Sequence, residues 1–63
     1  SRILYGVTRR GVENGRQTAR CAVIDPLLRP GDTVDDGLAA WEVGAILYFI
    51  GADSAFMDVT EDA

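Results

Sequence analysis

"LAAWEVGAILYFI", residues 38–50, is the stretch whose reading decides the fold. Leu38, Ala39, Ala40 and Glu42 favour a helix, and a helix over 37–49 is one reading. Gly44 interrupts that helix, and the "AILYFI" that follows is rich in β-branched and aromatic residues, which suit a pleated surface. The favoured reading is a strand over Trp41–Ile50, with Leu38–Val43 left open between helix and strand. A regular strand would carry Val43, Ala45, Leu47 and Phe49 on one face and Ile46, Tyr48 and Ile50 on the other. Both faces are then apolar. A small sheet covers one face at most, so the other is expected to meet a second sheet layer or another protein.

Upstream, "CAVIDPLLRPGDTV" (residues 21–34) holds both prolines. Pro26 has no N–H for a ladder bond, so a strand must end at Asp25 or become an edge there, and Asp25 is held extended or turned by the proline after it. Leu27 and Leu28 follow as apolar anchors. Arg29-Pro30-Gly31-Asp32 has proline second and glycine third, the type II turn pattern. The segment reads as a corner with a kink at Asp25-Pro26, an apolar plug and a tight turn at Pro30-Gly31-Asp32. Asp35-Asp36-Gly37 reads as a further turn, acidic and solvated.

At the other end of the chain, Ile3, Tyr5 and Val7 alternate with Arg2, Gly6 and Thr8, predicting a strand over 2–9. Asn14-Gly15 is a strong hairpin signal, because both residues accept positive φ, and Gly11 is a candidate bulge. The return strand is expected over 16–24, with Ala19, Cys21 and Val23 on one face and Arg16, Thr18 and Arg20 on the other. It should end buried on both faces at Ala22 and Ile24. Arg20 is placed either to meet a partner's carboxylate or to stand in solvent. Downstream, "GADSAF" is a turn and "FMDVTED" a last strand, with Met57 and Val59 facing one way and Phe56, Asp58 and Thr60 the other. The expected fold is all-β: one domain over residues 1–63, a small antiparallel sandwich or half-open barrel of four to five short strands.

Size makes such a domain marginal. Folding a 6.8 kDa chain hides roughly 6,000 Å² by size scaling. With about 60% of it apolar, this is worth on the order of 90 kcal/mol. Conformational ordering costs roughly 95 kcal/mol. A single cysteine permits no internal disulfide, and with no histidine there is no usual zinc site. Oligomerisation or docking into a larger assembly is the remaining stabiliser.

The net charge of −4 argues against a nucleic acid partner. All six basic residues are arginine, which tolerates interfaces better than lysine. No segment reads as a signal peptide, and the longest apolar run, Val43 to Ile50, is too short to span a bilayer. The expectation is a cytoplasmic protein. Its initial serine fits removal of a methionine from a complete small gene product.

Catalysis needs a positioned base, nucleophile or metal. Cys21 has no histidine to activate it and sits on an apolar face, so it reads as a buried small hydrophobe. Ser54 lies in a turn without a base. Asp25, Asp32, Asp35 and Asp36 lack calcium-loop spacing. Tyr5, Trp41, Tyr48 and Phe49 could form a base-stacking face, but no basic groove accompanies them. The chain is expected to be no enzyme and to carry no cofactor or metal. What remains is an interaction surface on Ile46, Tyr48 and Ile50 with Leu27 and Leu28, extended by Trp41, Val43, Met57 and Arg20. The same apolar side chains could instead fill an internal core.

"ARCAVIDPLLRPGDTV", "WEVGAILYFI" and "AFMDVTED" together resemble a small β-domain found in tail and baseplate hub proteins of contractile and long-tailed bacteriophages. The matching positions are Asp25-Pro26, Arg29-Pro30-Gly31-Asp32, Val43-Gly44, Ile46, Tyr48, Ile50, Met57, Val59 and Glu61. In hub proteins the module is embedded in a longer chain. The resemblance implies a structural virion subunit, assembled in the bacterial host cytoplasm, in a tail or baseplate hub or as a tail-tube adaptor. Its partners would be other virion structural proteins or copies of itself in a symmetric ring. A capsid decoration protein and a small regulatory or nucleic-acid-binding β-barrel are the alternatives.

Overall fold

The computed structural model describes residues 2–63. The chain is all-β, with strands β1 (Arg2–Ile3), β2 (Val7–Glu13), β3 (Arg16–Cys21), β4 (Thr33–Asp35), β5 (Ala40–Ile50) and β6 (Ala55–Glu61). They form one sheet in the order β1-β4-β5-β6-β3-β2. That is six strands rather than four or five, and one sheet rather than the two of a sandwich. The sheet is also not wholly antiparallel, because β1 runs parallel to β4.

The order forces the sheet to curl. β1 and β2 are its two outer strands, yet only Leu4, Tyr5 and Gly6 join them. Five strand spacings would separate the edges of a flat sheet by about 24 Å. The linker reaches about 14 Å at most. The sheet closes into a half-barrel, with the linker bonded to both sides: Leu4 N–H donates to Asp35 O at 2.9 Å, and Ala22 N–H donates to Gly6 O at 2.8 Å. Gly6 kinks the chain between the two edges at φ 65°. This kink overturns the expected single strand over 2–9. Leu4 points into the core, while Ile3 and Tyr5 are exposed.

The expected hairpin and corner are both present. Asn14 and Gly15 have φ of 54° and 75° and join β2 to β3. Gly31 has φ 94°, and Asp32 N–H donates to Arg29 O, completing the turn at Pro30-Gly31. The irregularity in β2 falls between Val7 and Arg9 rather than at Gly11, which pairs with Thr18 in register. β3 ends at Cys21 instead of running to Ile24. Past it, Ala22 bonds to the linker and both Ala22 and Val23 are exposed, so the predicted doubly buried end is absent.

Leu38–Val43 is strand from Ala40 onward, with no helix. A bulge in β5 changes the expected faces. Val43 stands opposite Glu61 and Ala45 opposite Thr60, leaving Gly44 as the extra residue. Val43 therefore shares the inner face with Ile46, not with Leu47 and Phe49. Glycine is required there because a Cβ on Gly44 would lie 2.6 Å from Asp62 Cα. The core is Leu4, Ala19, Cys21, Leu28, Val34, Trp41, Val43, Met57 and Val59, with Val7, Ile24 and Ile46 packed against it.

Candidate interaction surface

The corner seals one end of the core. Its two leucines part: Leu28 is 1% exposed and plugs the half-barrel, whereas Leu27 is 63% exposed. Asp25 organises the kink by accepting from Leu27 N–H through Oδ1 at 2.9 Å and from Arg2 Nη1 through Oδ2 at 3.2 Å. The turn then docks on the middle of β5. Gly31 N–H donates to Val43 O and Val43 N–H donates to Asp32 O, both at 2.8 Å.

Asp36, read from sequence as part of a solvated turn, is 2% exposed. Its Oδ1 accepts from the N–H groups of Leu38 (2.8 Å) and Ala39 (2.9 Å), and its Oδ2 accepts from Trp41 Nε1 at 3.0 Å. Its carbonyl oxygen accepts from Arg10 Nε at 2.8 Å, tying β2 to the turn across the gap in the half-barrel. Burial opposes ionisation of this carboxyl. The bonds from Trp41, Leu38 and Ala39 and the nearby Arg10 outweigh it, and its pKa is lowered from the ordinary value. Cys21 is fully buried, and burial pushes its thiol pKa up. The remaining acidic residues of this region spend their oxygens on internal bonds, and among the described residues no three potential metal ligands converge. Among the described residues no helix is long and apolar enough to cross a membrane.

Four residues expected at an interface lie in the core instead: Leu28, Trp41, Val43 and Met57. Leu28 plugs the half-barrel, Trp41 and Val43 alternate inward along the first half of β5, and Met57 shares the inner face of β6 with Val59. Arg20 meets a carboxylate of its own chain, with its side chain 38% exposed. It grips Asp58 on the neighbouring strand with Nε–Oδ1 at 2.8 Å and Nη2–Oδ2 at 3.0 Å. That hydrogen bond lowers the Asp58 pKa, against an opposing effect of burial. The guanidinium also lies 4.2 Å over the Phe56 ring, which stacks on Phe49 with centroids 5.0 Å apart.

Three expected interface residues besides Leu27 are on or near the surface. Ile46 is half-buried against the core, Tyr48 is 41% exposed and Ile50 is 76% exposed. Leu47 and Phe49, on the opposite face, are exposed as well. The second half of β5 thus shows apolar side chains on both faces.

Its backbone is open too. β4 pairs with β5 only at Ala40–Glu42, while β6 pairs with Val43–Ile50. The hairpin closes with Gly51 N–H donating to Ser54 O. Counting back by alternation, Phe49, Leu47 and Ala45 bond to β6, so the N–H and C=O groups of Ile50, Tyr48 and Ile46 point outward. Among the described residues, no backbone group of another segment bonds to them. Only the Tyr48 hydroxyl reaches across, donating to Asp25 O at 3.4 Å.

No protein-family model matches the chain. Searches of curated proteins and of solved structures likewise return no match.

Proposed function

We propose that the chain is a structural subunit of a bacteriophage virion, in a tail or baseplate hub or as a tail-tube adaptor, acting by assembly with other proteins rather than by catalysis. The observation that carries the assembly reading is the second half of β5. Leu47, Tyr48, Phe49 and Ile50 are exposed on a strand with a partner on one edge only. An apolar strand with an open edge is a template for pairing with another chain, and monomeric proteins usually blunt such edges. The sequence resemblance to hub β-domains supports the virion as the setting.

Immunogold electron microscopy of purified particles from the strain encoding this chain tests the setting. Label at the tail or baseplate is the expected result. Label at the capsid would favour a decoration protein, and particles without label would overturn the virion assignment. Tyr48→Asp places a charge on the open edge and is expected to exclude the protein from particles. Normal incorporation of that variant would put the assembly surface elsewhere.

A further inference from the structure

We infer that the partner of the open β5 edge is a second copy of this chain, docked antiparallel about a two-fold axis at Tyr48. The inference rests on reading this edge as an assembly surface, and it names the occupant.

Register is the first argument. The free edge is bounded on one side by the Arg29–Asp32 turn, which occupies Val43, and on the other by the Gly51–Ser54 hairpin loop. The outward backbone groups between these limits belong to Ile46, Tyr48 and Ile50. Antiparallel pairing with a copy of itself, centred on Tyr48, sets Tyr48 against Tyr48 and Ile46 against Ile50. Outward groups then meet outward groups at every step, as a bonded antiparallel ladder requires. Shifting the centre by one residue to either side removes one of these pairings.

Side-chain chemistry is the second argument. In this register Tyr48 faces Tyr48, Ile46 faces Ile50 and Leu47 faces Phe49, so every cross-strand neighbour is apolar or aromatic. The stretch from Val43 to Gly51 holds no charged residue, so two copies meet without repulsion between the strands. An isologous two-fold contact needs this kind of self-complementary patch.

Charge at the ends is the third argument. With Tyr48 on the axis, Gly51 of one copy falls opposite Ala45 of the other, so the hairpin loop carrying Asp53 lies beside the Gly44 bulge and the Arg29–Asp32 turn docked at Val43. Arg29 is exposed, and its guanidinium donates to Pro26 O and Leu28 O but meets no carboxylate among the described residues. Asp53 is exposed and likewise has no cation partner. Symmetry brings the two together twice.

Sedimentation velocity of the 63-residue chain across the micromolar range tests the inference. A concentration-dependent monomer–dimer equilibrium is expected, and a monomer throughout would overturn it. Tyr48→Pro removes an outward N–H that no internal ladder uses and should weaken dimerisation at least about tenfold. Val12→Pro does the same on the other free edge, in β2, and should leave the dimer intact. The reverse pattern would place the interface on β2 and refute the proposal. Circular dichroism and Trp41 fluorescence report whether each variant is folded. Should the proline variants unfold, Arg29→Glu gives an independent reading. It should weaken the dimer several-fold, and Asp53→Arg in the same chain should restore it; no rescue would refute the predicted end contacts. Finally, Tyr48→Cys places two Cα atoms about 5.5 Å apart, within disulfide range. Oxidation should yield a covalent dimer, whereas Val12→Cys, at a more exposed site, should stay monomeric. Equal cross-linking at both sites counts against the axis at Tyr48. A dimer in solution with no label on particles would leave this inference standing and remove the virion setting, and labelled particles built from a strictly monomeric protein would do the opposite.

Discussion

β5 is two strands in one. Its first half, Ala40–Val43, pairs with β4 at Ala40–Glu42, meets the end of β6 and the Arg29–Asp32 turn at Glu42 and Val43, and sends Trp41 and Val43 into the core. Its second half, Ala45–Ile50, pairs on one edge and exposes Leu47, Tyr48, Phe49 and Ile50. Hydrophobicity does not distinguish them, since the open half is the more apolar. What differs is enclosure. The first half is covered by the Leu28 plug and fixed by the Asp36 carboxylate on the Trp41 indole, while no segment of the described chain reaches the edge of the second. Gly44 is the joint between the two regimes. The lesson is that apolar strand residues make a core or a surface according to what the preceding loop covers.

The strongest way to break this contrast is to remove the fastening of the enclosed half. Asp36→Ala leaves the Trp41 indole N–H and two turn amides without their acceptor, and should cost about 3–5 kcal/mol of folding stability, read by urea denaturation. A loss under 1 kcal/mol would mean that the turn does not depend on this carboxylate. Gly44→Val tests the joint itself. Its side chain would collide with the backbone at Asp62, and relief requires a shift of the β5–β6 register. A loss of about 2 kcal/mol is expected, together with altered near-ultraviolet circular dichroism.

Acid sharpens the comparison more gently. Asp36 and Asp58 both have folded-state pKa values below their ordinary value. Such groups contribute stability that is fully present above the unfolded pKa, near 3.9, and lost as pH falls through the folded pKa. The protein should therefore weaken progressively below about pH 4. Asp36→Asn should be less stable than the parent at pH 7, with the gap narrowing as pH falls. A constant gap across that window would show that Asp36 does not titrate with folding. The smallest effect belongs to the open half. Leu47→Ser should change monomer stability by no more than about 0.5 kcal/mol, measured by thermal denaturation at high dilution. A larger loss would show that this half is held within the single chain after all.

The local signals in the sequence were sound where a few adjacent residues decide the geometry. Asn14-Gly15 and Pro30-Gly31 turn as their residue types require, and the alternation of Met57 and Val59 reports the inner face of β6 faithfully. Reading failed where distant backbone sets the phase. The Gly6 kink depends on linker bonds to both Asp35 and Ala22, and it splits the alternating run of Ile3, Tyr5 and Val7 and leaves Leu4 in the core. The Gly44 bulge depends on how closely Asp62 approaches, and it moved Val43 to the face of Ile46. Asp36 was illegible for a similar reason: an Asp-Gly pair reads as an ordinary turn, and nothing adjacent to it announces Arg10 or the indole of Trp41. The surface was legible in part. Tyr48, Ile50 and Leu27 emerged from composition and pattern, while Arg20 was hidden because its partner Asp58 lies on a strand far along the chain.

The ladder at the centre of the sheet has a consequence for synthesis. β3 pairs with β6, joining Thr18 to Thr60 and Cys21 to Met57. When the early hairpin has left the ribosome, the strand that must lie beside it has yet to be translated. Ala19 and Cys21 wait in water until nearly everything up to Glu61 has emerged. Long-range pairing of this kind closes large loops before it is rewarded, so folding should be slow for so short a chain. During that delay the unpaired edge of the nascent hairpin is open to pairing with other extended chains nearby.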